Sequence, residues 1–515
     1  MHVAFIVTYE NLGLECLAAY LKAHGHRVSA VYAPFFFEDA FLDMPSFART
    51  FKMDDRVVRR IVDLRADLVA FSTTTRDYRV HVRLAGAIKA ALPGVRIVMG
   101  GIHPTLVPER VMANDCIDFV CMGEGEAALL ELCERLQENG PVADVRNIWS
   151  RQDARIVRNP VRELIPDLDA LPFPEKEIFY DAVPHWRSRF VDYLIMTARG
   201  CPYSCTYCYA EYVNKELYRG KRFYRRRSVG NVMEELECMR RSRSVRYISF
   251  FDDTFTTSRA WLHEFAEEYR KRGFHRQYRM SVLSRAEPLD ADTCELLRSL
   301  RCAQVFIGVQ VGNYRIRKEI LNRGGLDSNE TIVEACRRLR EHGIPAHLDH
   351  IHELPYVTEA ELIESARLYN RCRPVHIFQP NLYYFPRTGI VAHGREDGKL
   401  SEGDVRAIER GERCRPEATP DAELTGQYRF LFFLLPMLSR RAVDRMLARG
   451  AHKRKRLIRI LEPLYPWLDT LRQLGLQWRR GADFRIYRYL LVYLSPQAVG
   501  LMTRALWRRV WGGGR

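Results

Sequence analysis

A chain of 515 residues, 47% of them hydrophobic, can bury the cores of two to four domains, which excludes disorder as its main character. Its formal charge of +16 is gathered at the end, where Arg440 to Arg515 holds 18 Lys/Arg against 4 Asp/Glu, so the rest is nearly neutral. Thirteen cysteines, ten of them scattered, exclude a disulfide scaffold and fit a reducing cytoplasm. The opening MHVAFIVTYENLG lacks a basic segment ahead of a long apolar run, so it reads as a first strand rather than a signal peptide.

Val3 to Thr8 is a short strand pattern, after which Leu14, Leu17, Ala18 and Leu21 fall on one helical face. Gly25 ends that helix and Val28 to Tyr32 makes a second strand. The theme repeats at Asp67 to Ser72, in a helix near Val80 to Ala91, and at Arg96 to Met99. Strands alternating with helices over residues 1–150 predict a doubly wound parallel sheet, a Rossmann-like α/β domain. Such sheets bind ligands beyond the carboxyl ends of their strands, here Ser72 to Thr75 and Gly100 to Thr105. A flavodoxin-like or nucleotide-binding domain is the competing reading, but neither G-x-G-x-x-G nor a P-loop occurs.

Gly13, Ala70-Phe71-Ser72, Gly100-Gly101 with His103 and Thr105, and Gly123-Glu124-Gly125-Glu126 together resemble the cobalamin-binding domain that precedes many radical S-adenosylmethionine (SAM) domains. The resemblance implies cobalamin contacts at Ser72, Thr73, Gly100, Gly101, His103, Thr105, Gly123 and Glu124. Its Gly-Gly turn lets the cofactor's nucleotide tail lie close to the backbone. Glu124 and Glu126 also suit a helix N-terminus on dipole grounds alone. The D-x-H-x-x-G motif of the best-known cobalamin modules is missing, so the lower axial position is not filled through it. His350 and His352 are far away in sequence.

Residues 151–190 lose periodicity, and the Pro-punctuated Ile165 to Pro174 reads as an extended interdomain strap. A strand pattern at Tyr193 to Thr197 then leads into Arg199-Gly200-Cys201-Pro202-Tyr203-Ser204-Cys205-Thr206-Tyr207-Cys208. Three thiolates at C-x-x-x-C-x-x-C spacing can hold three corners of a [4Fe–4S] cubane and leave the fourth iron open. Structural zinc is the main alternative, but it normally takes four ligands and no second C-x-x-C pair is near. Three unrelated buried cysteines are the remaining reading, disfavoured by so short a loop bracketed by Gly and Pro.

The loop, with Tyr207 before its last cysteine, resembles the signature of the radical SAM superfamily. That resemblance implies that SAM chelates the open iron and is cleaved to methionine and a 5′-deoxyadenosyl radical. Strand and helix patterns then alternate through about six β/α units to His350, predicting a partial (β/α)6 TIM-type barrel over 191–395. Asp252 and Asp253 stand where the superfamily places its contact to the SAM amino group, or else act as helix N-caps. Gly308-Val309-Gln310-Val311-Gly312 departs from the usual G-V-E-S-G, keeping a hydrogen-bonding group at Gln310 without its charge. Arg323 matches the family's arginine after the next helix and is expected at SAM or substrate, or in a surface salt bridge.

Residues 396–515 read as a helical, basic region. Trp478-Arg479-Arg480, Tyr487-Arg488-Tyr489 and Trp507 to Trp511 have the composition of interfacial helices, although packing on the barrel explains them equally well. The whole implies a cytoplasmic, cobalamin-dependent radical SAM enzyme, a methyltransferase working on an unactivated carbon of a lipid or secondary metabolite. Its expected partners are a small-molecule substrate, an external flavodoxin- or ferredoxin-type electron donor, and a membrane surface touched by the basic tail. Nucleic acid is not expected. A cyclase or rearranging enzyme is the alternative, followed by a non-enzymatic Fe–S or RNA-binding protein.

Overall fold

The computed structural model describes residues 1–35, 52–152, 155–183, 192–242, 245–325, 327–417 and 421–453, with 468, 469, 471, 472 and 475. Seven strands form the first sheet: β1 His2–Val7, β2 Arg27–Tyr32, β3 Leu68–Ser72, β4 Arg96–Gly100, β5 Phe119–Cys121, β6 Ile148–Gln152 and β7 Arg155–Val157. Their order is β2-β1-β3-β4-β5-β6-β7, with the first five parallel and the last two antiparallel. Successive residues feed opposite cores, as the pleat requires. Val3, Phe5, Leu68 and Ala70 pack on one face, and Ala4, Ile6, Val69 and Phe71 on the other. That double burial is why these strands read as continuous apolar runs. The strand order reverses between β1 and β3, so a crevice opens beyond their carboxyl ends.

The remaining strands are β8 Tyr193–Ile195, β9 Ala198–Arg199, β10 Arg225–Arg226, β11 Tyr247–Phe250, β12 Arg279–Ser284, β13 Cys302–Gln310, β14 Ala346–His350 and β15 His376–Phe378. β9 and β10 pair antiparallel as a separate ribbon, while the other six form one parallel sheet ordered β8-β11-β12-β13-β14-β15. Sequential order with parallel pairing is the winding of a barrel, and it stays open because β8 and β15 are its edges. Helices Val229–Ser242, Arg259–Lys271, Ala291–Ser299, Asn329–Glu341 and Glu359–Cys372 cover it. Four of them start on a side-chain cap, from Ser258, Asp290, Ser328 and Thr358. Ile248, Phe250, Met280, Val282, Val305 and Ile307 meet Leu262, Phe265, Leu297 and Leu339 in the outer core.

Three details differ from the sequence reading. The first sheet continues past residue 150 through β6 and β7 to Val157. The aperiodic linker expected over 151–190 carries, after its strap, the helix Glu177–Ala182, whose Ile178, Phe179 and Tyr180 enter the first core. Lys176 anchors it, buried 2.6 Å from Glu15 and 3.2 Å from Glu10. Third, Ser258, not Asp252 or Asp253, caps the helix that follows β11. In the helix Ala422–Leu434, Tyr428, Leu431 and Phe432 pack into the barrel core, so that apolar stretch is accounted for by packing. The Trp/Arg-rich stretches at 478–480, 487–489 and 507–511 lie outside the described residues. No described helix is long and apolar enough to cross a membrane.

Candidate active site

The carboxyl ends of the first sheet face Gly200 and Tyr209, which flank the cysteine loop, across a cavity of about 340 Å³. Gly13, Ser72, Gly100, Gly101, Thr105, Gly123 and Glu124 line it from one side, and Arg199, Gly200, Tyr209, Tyr218, Arg225 and Asp253 from the other. Three glycines shape the wall. Gly101 has φ +101°, and a Cβ there would come within 2.7 Å of the Thr73 backbone nitrogen. Gly123 has φ +70°, and a methyl would run into the Tyr218 hydroxyl. The Thr105 hydroxyl donates to Gly101 O at 2.7 Å and accepts from Gly123 N–H at 3.1 Å, tying the two turns together. Gly200 (φ +79°) does the same service opposite, where a side chain would strike Phe223. The result is a largely apolar, glycine-walled recess that a flat macrocyclic cofactor such as cobalamin fits.

Two residues in the expected cobalamin set turn away from it. Thr73 is buried with its hydroxyl 2.9 Å from His81 Nδ1, and His103 lies 3.1 Å from the Thr75 hydroxyl and packs against Tyr78. The His103 ring is tilted by 38° to that of Tyr78 rather than parallel to it, and burial pushes its imidazole down to about 3, so it is neutral. Neither side chain lines the cavity. Nor do His350 and His352, which bond to Tyr369 and Gln379 inside the barrel. Glu124 is at the wall but its oxygens are already taken. Arg225 donates to both of them at 2.8 and 3.0 Å, Arg199 donates at 3.2 Å, and Ile165 N–H at 2.8 Å. Burial opposes its charge, but the Arg225 bonds and the two guanidinium charges hold the carboxyl below its usual range. Glu124 therefore ties the strand-end turn of the first sheet to the β9–β10 ribbon at the cavity wall.

Cys201, Cys205 and Cys208 follow β9 on a loop braced from two directions. Asn214 donates to Cys201 O and Tyr203 O at 3.2 and 3.3 Å, and Asn322 donates to Ser204 O at 2.7 Å. Thr206 donates through its hydroxyl to Ile320 O at 2.6 Å. Burial pushes the Cys201 and Cys208 thiols up to about 12. Among the described residues no three His, Cys, Asp or Glu side chains converge on one ion position. The loop offers three thiols, the side-chain type that ligates Fe–S clusters. Behind it Arg323, buried, donates to the Tyr207 hydroxyl at 3.3 Å and stands 3.9 Å from Cys205 Sγ. Its other bonds run to Gly308 O and, at 3.2 Å, to Asp327. Arg323 is thus a buried brace and counter-charge for the loop, not a surface ion pair.

The two acids after β11 have separate tasks. Asp252 is buried, and one oxygen accepts from Thr197 N–H at 2.8 Å and Thr197 Oγ1 at 3.0 Å. Asp253 points into the cavity beside Cys201, Cys208 and Tyr209, ringed by protein although its surface is open to the cavity. Burial, then the neighbouring Asp252, pushes its carboxyl up to about 6. A carboxylate there suits the ammonium end of SAM. Below about pH 6 it is neutral and above it is charged, so SAM binding should tighten as pH rises through that value. Equilibrium dialysis of SAM against the reconstituted protein on both sides of this pH checks it, and Asp253→Asn should flatten the profile. Gln310 sits at a bulge of β13 with φ +72°. A non-glycine residue there stores about 1 kcal/mol of strain.

Cys16, Arg199, Tyr209, Tyr218 and Arg225 line the cavity without having been singled out in the sequence. Only proximity to the cysteine motif flagged Arg199 and Tyr209, and nothing local marks the others. Gly123→Ala should release bound cobalamin, through the clash with Tyr218 and about 1 kcal/mol of left-handed strain. Adding Tyr218→Phe removes the clashing oxygen and should restore part of the retention, read as cobalamin per chain after gel filtration.

The B12 binding domain family matches residues 5–133, and the radical SAM superfamily matches residues 195–369. An uncharacterised methyltransferase of Pyrococcus horikoshii is 28% identical over 284 residues, 54% of this chain and 59% of the relative. The anaerobic magnesium-protoporphyrin IX monomethyl ester cyclase of Rubrivivax gelatinosus is 26% identical over 372 residues, 68% of this chain and 60% of the cyclase. The chain thus spans about three fifths of the length of these curated relatives. In fold it is similar to the cobalamin-dependent SAM radical enzyme OxsB, solved with aqua-cobalamin and SAM bound. That similarity has a TM-score of 0.65 at 14% identity, over 98% of this chain and 84% of OxsB. With the glycine-walled recess on one side and the braced cysteine loop on the other, this chain joins a B12 binding domain to a radical SAM domain, and cobalamin, SAM and a [4Fe–4S] cluster are the cofactors such domains take.

Proposed function

We propose that this protein is a methyltransferase that acts on an unactivated carbon of a small-molecule substrate, a lipid or secondary metabolite. The observation that carries it is the single cavity in which the glycine turns of the first sheet face Gly200, Tyr209 and Asp253 beside the cysteine loop. When bound, the three cofactors supply a hydrogen-abstracting 5′-deoxyadenosyl radical and a transferable methyl group.

The chain's own residues position and insulate that chemistry. Cys201, Cys205 and Cys208 hold the cluster, with Arg323 as a fixed cation beside Cys205. Asp253 takes the ammonium of SAM, while Asp252 locks the turn beneath it to Thr197. Gly100, Gly101, Thr105 and Gly123 form the cobalamin wall. Glu124 with Arg199 and Arg225 braces the cavity wall where the first sheet meets the β9–β10 ribbon. Reducing equivalents come from an external flavodoxin or ferredoxin.

The test is anaerobic reconstitution with iron, sulfide and cobalamin, then methyl-deuterated SAM and a reductant, followed by mass spectrometry. Label on cobalamin together with 5′-deoxyadenosine supports a methyltransferase. Deoxyadenosine without label transfer favours the second reading, an oxidative cyclase, to which the similarity to the Rubrivivax cyclase lends weight. Neither product sinks both.

A further inference from the structure

Arginines at the seam between the two sheets are mostly paired with acids. Arg199 and Arg225 meet Glu124, Arg110 meets Glu409 at 2.9 Å, and Arg413 meets Asp404 at 3.1 Å. One group is not. Arg76, in the turn after β3, and Arg415, ahead of the helix Ala422–Leu434, place their guanidinium carbons 5.9 and 5.8 Å from the centre of the Tyr383 ring. Arg429, on that helix, donates to the side chain of Asn381, two residues before Tyr383. All three arginines are half-buried. Among the described residues, no carboxylate lies within ion-pair distance of any of them. Glu353, just beyond β14, feels Arg415 and Arg429 without pairing to either, and one of its oxygens is buried without a hydrogen bond.

The docking of the two domains is what gathers these charges. The segment carrying Arg415 lies on the first domain: Arg79 donates to Glu412 O at 3.4 Å, and Gly411 (φ +60°) abuts the Tyr78 ring. Arg76 and Tyr383 both follow the carboxyl ends of strands, β3 and β15, the rim where such folds bind substrates. None of Arg76, Tyr383, Arg415 and Arg429 lines the glycine-walled cavity. Like charges held half out of water around one ring repel, and the ring offsets this only in part. Guanidinium forks match the paired oxygens of a phosphoryl or carboxylate group.

We propose that Arg76 and Arg415, which flank Tyr383, together with Arg429 beside Asn381, bind an anionic group, phosphoryl or carboxylate, of the small-molecule substrate at the mouth of the barrel. This rests on the reading of the protein as an enzyme acting on a small molecule at the strand ends. The probes are inorganic phosphate and succinate, titrated calorimetrically into the reconstituted full chain. Arg76→Gln and Arg415→Gln should each weaken binding at least about tenfold, the loss of one charge-assisted contact. Arg415→Lys, which keeps the charge without the fork, should fall between, and the exposed Arg406→Gln should change nothing. A preference for phosphate or for succinate distinguishes the phosphoryl from the carboxylate case. Failure of the parent chain to bind either probe, or equal binding by the Gln variants, overturns the proposal. So does loss of cobalamin from those variants, because the anion would then be the phosphate of the cofactor's own nucleotide tail. Iron and cobalamin content of the parent chain, measured in the same samples, reports separately on the enzyme reading.

Discussion

Cys205→Ala is expected to lose its iron and labile sulfide, and with them all 5′-deoxyadenosine formation. The effect should be complete because a cubane that keeps two of its three protein ligands is not retained through reduction. The fold should survive. Cys205 is buried in a loop, and trimming its sulfur costs on the order of 1 kcal/mol. The loop keeps its braces from Asn214, Asn322 and Thr206. Cys201→Ala and Cys208→Ala should behave in the same way, whereas Cys238→Ala, at an exposed position, should bind iron like the parent. Iron and sulfide analysis beside a thermal melt makes the distinction. Full iron content in any of the three loop variants would remove the cluster from this loop.

Glu124→Ala should be the most damaging single change outside the cysteines. In the β9–β10 ribbon Arg199 and Arg225 are directly cross-strand partners, an arrangement that repels unless an acid lies between them. Glu124 is that acid, and the three side chains are 9 to 18% exposed. Removing it strands the buried Arg225, while Arg199 keeps its pair with Glu126 at 2.5 Å, at a cost of about 3 kcal/mol. Glu124→Gln keeps an acceptor for Arg225 but not the charge, and should lose about half as much. Denaturant midpoints and cobalamin retention should fall together, because the same three side chains form part of the cavity wall. A loss under about 1 kcal/mol, the range of exposed pairs, would show that the clasp is solvated in solution. Its pH dependence has a definite sign. The Glu124 carboxyl is held below its usual range, so its contribution is present above the ordinary carboxylate pKa. It is lost as pH falls through the lowered value.

Glu124 also shows where reading the sequence stops. Its place beside Gly123 suggested a cobalamin contact, and the glycines of that pattern do line the cavity. The partners that claim its carboxylate, Arg199 and Arg225, stand 75 and 101 positions later, and neither carries a local signal. Thr73 and His103 lie off the cavity for a similar reason. Being next to Ser72 and Gly101 in sequence does not set which side of the turn a side chain takes, and Thr73 and His103 turn inward to His81 and Thr75.

What the sequence determined by itself is whatever a short window encodes. Runs of apolar residues buried on both faces marked β1, β3 and β4. The cysteine spacing fixed three thiols on one loop, and glycines at Gly101 and Gly123 marked backbone that no other residue adopts without strain. The tertiary structure alone decided that Asp253 faces the cavity while Asp252 serves Thr197, and that Arg323 is a buried brace. It alone gathered Arg76, Arg415 and Tyr383 from three distant loops. Backbone periodicity and steric need act between neighbours and so are written in neighbours. Charge pairing acts through space, and its partners are named only when the two sheets have docked.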